Sequence, residues 1–429
     1  MKKFKKIITP NGTTICYVRN NVSNITIVDV MFNCGDRCDT ISGLAHFTEH
    51  MFLSGTKELT KEEITKKYFD FVNVNMFTSR KEIVFSGSLF NNEFAKYLET
   101  VAEMITKSTF TKSAVEKEIP IVQQEIARSA DKYEHKAFSF NKHIIQGDRG
   151  EVKDILGTAE SVQSIKSKDV KDFVKKYFIR ENMEVYVSSP LPLNKIKSIV
   201  MKSLESKIPS NRKFNKLPLY NHYVNNDNFY NVKNAKIDKN YIRINFFNNY
   251  KDNEIEKKAK IDMVLRMMND FSSGILKHIR LKKSLVYNGS FGTCYNDKSG
   301  YVTFKSECEE KNINELIRSV AEYLNNLMIE GFSKEQLDKA KREVKYIDDS
   351  EEPSANRQFY DLYQYKYYNE VADKKKLRKK VYSLTLKECN DIFKDLFANK
   401  KFGITIYGDA DKKSLITKKE IDSLFQTIR

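Results

Sequence analysis

The chain has 429 residues, a formal net charge of +17 from 74 Lys and Arg against 57 Asp and Glu, no tryptophan and six cysteines. The length supports two or more domains with cores of their own, and the basic excess is scattered among asparagines, tyrosines and phenylalanines, which excludes a concentrated nucleic-acid-binding patch. The cysteines form no CxxC pair or dense framework, so reduced thiols are expected, and no apolar run approaches the ~20 residues of a membrane-spanning helix.

Residues 1–11 are basic without an apolar segment of signal-peptide length, and strand patterns follow almost at once at 13–18 and 24–32, so a soluble cytoplasmic protein is expected. Next comes the stretch GLAHFTEHMFLSGT at 43–56. On a helix His46 and His50, four apart, point to one side with Glu49 beside them. Ser42 or Gly43 before and Ser54-Gly55 after would bound a helix of about three turns. Both imidazoles then reach one zinc ion, which still needs a third protein ligand, with water in the fourth position for hydrolysis. Glu49 is free to act as general base toward that water.

A helix around 61–71, a β stretch over 74–89 and a helix over 92–106 lead to VEKEIPIVQQEIARSAD at 115–131. Glu118 and Glu125 lie seven apart, so two helical turns bring them to nearly the same face. One is the candidate third ligand and the other a candidate for orienting a histidine; the spacing leaves their order open. Ser113 with Glu116 resembles a capping box for this helix, and Pro120 predicts a kink or a later start. A helix at 169–177 and a strand at 182–188 close this half.

A polar, asparagine-rich passage from 209 to 234 reads as a linker, which gives domains at 1–212 and 236–429 joined by 213–235. The second half predicts strands at 241–247, 285–294 and 301–307, helices at 254–269 and 273–281, and long helices from Asn312 and Ser333. Ser333 with Gln336 and Thr385 with Glu388 fit capping boxes. SIKSKDVKDFVKKYF at 164–178 aligns without a gap on SLTLKECNDIFKDLF at 383–397, an offset of 219 residues, and a short strand follows each. A repeat of that size is a whole domain, so the fold class is α+β: two domains of one fold, each a mostly antiparallel sheet packed with helices. The same offset carries the histidine pair onto LRMMN at 265–269, where nothing resembles a metal site.

The stretch 43–56 resembles the pitrilysin/insulysin family of inverted zinc metallopeptidases almost throughout. The resemblance implies His46, His50 and Glu125 as zinc ligands, Glu49 as base and Glu118 as the supporting acid. VNVNMFTSRKEIVFSG at 72–87 is similar to the family's Asn-x-x-Thr-Ser segment, which implies Asn75, Phe77 and Glu82 as substrate contacts and places 82–86 in an edge strand pairing with the peptide. DILGTAESVQSI at 154–165 resembles the family's Leu-Gly-Thr stretch. IRLKKSLVYNGSFG at 279–292 resembles the segment that carries an arginine and a tyrosine for substrate binding and transition-state stabilisation, here Arg280 and Tyr287. The resemblance further implies two domains facing each other around a peptide cleft and association of two chains, as a homodimer or with a related subunit. The expected function is a zinc endopeptidase acting on short or unfolded peptides, including leader or propeptide removal. The alternative is a noncatalytic scaffold or partner subunit of a processing-peptidase-like complex.

Overall fold

A computed structural model describes residues 4–130, 133–146, 154–215, 228–250, 254–295, 300–350, 354–368, 374–426 and 428. The strands are β1 (Lys5–Ile8), β2 (Thr14–Arg19), β3 (Ile25–Phe32), β4 (Val74–Thr78), β5 (Ile83–Phe90), β6 (Met183–Ser189), β7 (Phe229–Asn234), β8 (Asn240–Asn248), β9 (Gly289–Tyr295), β10 (Gly300–Cys308) and β11 (Phe402–Gly408). The helices of the first half are α1 (Leu44–Met51), α2 (Lys61–Phe69), α3 (Phe94–Lys107), α4 (Lys112–Ala130), α5 (Tyr133–Gln146), α6 (Ala159–Ser164), α7 (Ser167–Tyr177) and α8 (Leu193–Ile199). Those of the second are α9 (Ile255–Met268), α10 (Ile313–Glu330), α11 (Lys334–Ser350), α12 (Ala355–Tyr368), α13 (Lys374–Tyr382), α14 (Leu386–Phe397) and α15 (Lys418–Gln426).

These elements form two compact units, each built on one sheet. The units are not uninterrupted halves of the chain: residues 132–152, with α5, belong to the second, and 353–366, with most of α12, belong to the first.

In the first unit the strand order is β1-β2-β6-β3-β5-β4. Along β3 the alternate residues Val28, Val30 and Phe32 enter the main core with Phe47 and Phe52 from the α1 segment and Phe178 after α7. Met31 on the opposite face meets Cys16, Val18, Val84, Tyr186 and Leu362 of α12. Because both faces are covered, the strand reads as a nearly continuous apolar run.

The second unit repeats this plan in the order β7-β11-β8-β10-β9. In each unit the strand after the repeated helix, β6 or β11, inserts between a parallel neighbour and an antiparallel one. The repeat at 164–178 and 383–397 therefore marks equivalent places in two copies of one topology, with β1 as an addition to the first. Ile242, Ile244 and Phe246 of β8 pack with Val264, Met268, Phe393 and Phe397 in its core. The other face of β8 is covered by α5, where Asn245 donates to Asn141 Oδ1 at 2.8 Å and Thr405 donates to the same oxygen at 2.8 Å.

Several expectations need correction. Residues 229–234, assigned to the linker, form β7, which pairs in parallel with β11 and packs Tyr230 and Val232 against the core; residues 216–227 lie outside the described ones. The run 82–86 is not an edge: β5 lies between β3 and β4, and the sheet's edge strands are β4 and β1. Helix α4 starts a residue before Ser113, and Thr111 caps it by accepting from Ala114 N at 3.2 Å; Pro120 lies inside it without delaying its start. Helix α1 has only eight residues. The strand expected from 285 begins at Gly289, because Ser284 takes φ +53° and Leu285 N donates back to Ile279 O at 2.9 Å. The capping boxes at Ser333 and Thr385 form as expected.

Candidate metal centre

Helix α1 begins at Gly43, whose φ of +88° suits glycine. A side chain there would press on Leu156 O, 2.6 Å from the Cβ position, and one at Gly157, φ +76°, would press on Ser42 O at 2.5 Å. The Leu-Gly-Thr stretch is thus the surface against which the start of α1 is laid. Asp39 completes that start, accepting from Gly43 N and Ala45 N at 2.8 Å each, so two of the helix's unpaired donors are satisfied by a carboxylate at its positive end. Thr48, wholly buried, donates to Leu44 O at 2.7 Å and leaves no polar atom stranded in the core.

One turn of α1 separates His46 from His50, and their ring centroids lie 4.7 Å apart. Glu125 of α4 meets both: its Oε2 is 3.6 Å from His46 Nε2 and 3.4 Å from His50 Nε2. Donor atoms of the three residues lie within 4.8 Å of one another. A tetrahedral ion with bonds of about 2.0–2.1 Å sets its ligand atoms roughly 3.3 Å apart, close to the 3.4 and 3.6 Å that separate Glu125 from the two imidazoles. Burial and the neighbouring His50 push the His46 pKa down to about 3, which keeps its imidazole neutral and its lone pair free.

Glu118 approaches from the other side of His50, with Oε1 3.1 Å from Nδ1. Its second oxygen accepts from Lys61 Nζ of α2 at 2.7 Å. Burial would raise the pKa of Glu118, but His50 and Lys61 outweigh it and hold the carboxyl below its ordinary range. An anionic Glu118 fixes the tautomer of His50 that presents Nε2 to Glu125. His46 Nδ1 is buried with no hydrogen-bond partner, so among the described residues the carboxylate support falls on His50 alone.

Glu49 is 8% exposed and accepts from Thr78 Oγ1 of β4 at 2.5 Å. Burial raises its pKa, against the opposing pull of Thr78 and His50. The sequence reading left Thr78 without a role, although it is the threonine of the Asn-x-x-Thr-Ser segment. Lys61 and Asp39 were also missed, since an exposed lysine and a loop aspartate carry no signal until the fold brings them to their partners.

The remaining candidates separate. Asn75 is exposed on the free edge β4, and Phe77 packs from that strand against the cluster beneath α12. Glu82 is 1% exposed, between β4 and β5, so its carboxylate is closed off from a bound chain. Arg280 and Tyr287 belong to the second unit, where the guanidinium carbon lies 4.4 Å from the tyrosine ring centroid and 5.4 Å from that of Phe271. Tyr287 is 76% exposed, which leaves its phenol available to solvent or a ligand.

Comparison with known proteins gives these features a context. Residues 14–158 match the family model described as Insulinase (Peptidase family M16), and 164–344 match the one described as Peptidase M16 inactive domain. An uncharacterized zinc protease of Rickettsia bellii is 24% identical over 343 residues, 78% of this chain and 80% of that protein. The uncharacterized zinc protease YmxG of Bacillus subtilis is 23% identical, covering 80% of this chain and 82% of its own. The mitochondrial-processing peptidase subunit beta of Saccharomyces cerevisiae is 27% identical over 179 residues, 41% of this chain and 38% of that protein. In fold, the chain superposes on the periplasmic protease PqqL of Escherichia coli with a TM-score of 0.83 at 16% identity, over 99% of this chain and 50% of that one. A protease of Helicobacter pylori matches with a TM-score of 0.79 at 18% identity, over 95% of this chain and 99% of that one.

Proposed function

The chain belongs to the insulinase family of peptidases, family M16, and from that premise we propose that it is a zinc-dependent endopeptidase hydrolysing short or unfolded peptides bound as extended strands. The observation that carries the reading is the convergence of His46, His50 and Glu125 within 4.8 Å, beside a buried Glu49 held by Thr78.

Zinc held by His46, His50 and Glu125 would supply a Lewis acid that polarises a peptide carbonyl and makes water more acidic. Glu49 takes the proton from the attacking water and returns it to the departing amine. The bond from Thr78 leaves its other carboxylate oxygen to carry that proton. The free edge of β4 offers backbone groups to an extended peptide, with Asn75 and Phe77 among the contacts. Arg280 and Tyr287 bind the substrate and stabilise charge in the transition state. The active form is a homodimer in the cytoplasm, and leader or propeptide removal falls within its scope. The likeness to a protein named as a peptidase subunit supports a heterodimer with a related chain as the neighbouring form.

The second reading is a noncatalytic scaffold or partner subunit, favoured by the description of the model that residues 164–344 match. Cleavage of a mixed peptide library, read by mass spectrometry with wild type, wild type plus chelator, and Glu49→Gln, separates the two. Chelator-sensitive cuts that vanish in the variant support the endopeptidase. A chain that holds about one zinc yet cuts nothing, alone or with added related subunits, would make it a scaffold.

A further inference from the structure

Strand β8 turns Tyr241, Arg243, Asn245 and Phe247 away from its core and toward α5. Arg243 is the anomaly in this row. It is 9% exposed, its guanidinium carbon lies 5.3 Å from the Phe138 ring centroid, and among the described residues no carboxylate pairs with it. Its register partner on β10 is Lys305, so two cations stand directly opposite each other on one face. Such a pair is unfavourable in the free protein, and burial further opposes the charge on Arg243. The neighbouring acids do not resolve this: Glu134 pairs with Lys305 at 3.6 Å and Glu307 with Lys239 at 2.9 Å. Arg243 is the cation left over.

It borders open space. A cleft of about 700 Å³ runs between α5 and the sheet, walled by Tyr133, Phe138 and Tyr241 and by Arg243 and Lys305. At Gly292, on its floor, an added Cβ would meet nothing within 4 Å. That volume lies in the range of ligand-binding pockets, with an apolar lining and a few placed charges.

We propose that this cleft is a binding site for a peptide carboxylate, an acidic side chain or the C-terminus, with Arg243 as the anchor and Lys305 beside it. The excess of one positive charge suits a monoanion, whereas Glu134 at the rim would repel the second charge of a phosphate. The aromatic walls suit the hydrocarbon that carries the carboxylate. The site lies wholly within the second unit, and its assignment to peptides rests on the proposed function.

The test measures binding, independently of turnover. Full-length protein carrying Glu49→Gln is titrated by fluorescence anisotropy with labelled peptides in matched pairs: acidic side chains against their amides, and a free C-terminus against an amidated one. At least one carboxylate form binds roughly tenfold tighter than its amide, and Arg243→Met in the same background removes the preference; the pair that shows it identifies the source. Lys305→Met, at a position 52% exposed, reduces the preference about threefold, and gives a reading should the Arg243 variant fail to fold. Equal binding of both members of every pair overturns the proposal. So does a preference that survives Arg243→Met, or one that survives Lys305→Met where Arg243→Met does not fold. Displacement by millimolar inorganic phosphate without any preference for peptide carboxylates would also overturn it, in favour of a phosphate site. A wild type that cuts no peptide, with the binding preference intact, would count against the endopeptidase and leave this site standing.

Discussion

Glu118 and Glu125, two turns apart on α4, reach the same imidazole from opposite sides: one stands 3.1 Å from Nδ1 of His50 and the other 3.4 Å from Nε2. The seven-residue spacing thereby divides two identical side chains into different tasks, one facing the metal position and one facing the back of a ligand.

The first prediction follows from that division. Glu125→Gln removes a ligand and weakens zinc binding more than Glu118→Gln, whose loss is about 10–100-fold. Zinc competition titrations check the order, and the reverse order would exchange the two roles.

Glu49→Gln retains zinc and lowers peptide turnover by about 10²–10⁴-fold, since the amide cannot accept the proton. Thr78→Val leaves the base in place but removes its 2.5 Å hydrogen bond, and lowers kcat by roughly tenfold at unchanged zinc content. Metal analysis beside steady-state kinetics reads both variants; zinc loss from either would assign it to the metal shell instead.

Asp39→Ala leaves the first amides of α1 without their 2.8 Å acceptor and costs about 1–2 kcal/mol. Thermal unfolding of the zinc-free protein measures it, so that metal binding does not mask the loss. An unchanged midpoint would mean that water replaces the carboxylate without penalty.

Gly157→Ala places a methyl group 2.5 Å from Ser42 O at a φ of +76°, and is expected to destabilise the first unit by more than about 1 kcal/mol. Because the strain bears on the residue before Gly43, it also weakens zinc binding. A stable variant with normal zinc affinity would show that the two segments move apart freely.

Tyr287→Phe lowers turnover while zinc content stays the same, because the candidate ligands are His46, His50 and Glu125 and the phenol is not one of them. Unchanged kinetics would leave the ring a packing surface for Arg280.

Much of the architecture was legible because it repeats locally. The nearly continuous apolar run of β3 and the capping boxes at Ser333 and Thr385 express neighbours in the chain, and the duplication showed as the matched segments 164–178 and 383–397. Strand β7 was hidden because its three strand-forming residues, Phe229, Tyr230 and Val232, lie scattered in an asparagine-rich stretch, and its partner β11 is some 170 residues away. The edge was misplaced for the same kind of reason: β5 has stronger strand character than β4, but which of them lies outermost depends on how β3 pairs.

The histidine pair and its adjacent glutamate follow from the chain alone, since a four-residue spacing on one helix fixes which side chains share a face before any tertiary contact forms. What completes that centre depends on folding. Glu125 as the acid at both histidines, Glu118 behind His50, Lys61 behind Glu118, Thr78 on Glu49 and Asp39 beneath the helix come from other segments. Their places were set by the packing of α4 and β4 against α1 and by the reach of Lys61 from α2 to α4, a matter of distances through space that spacing along the chain does not record.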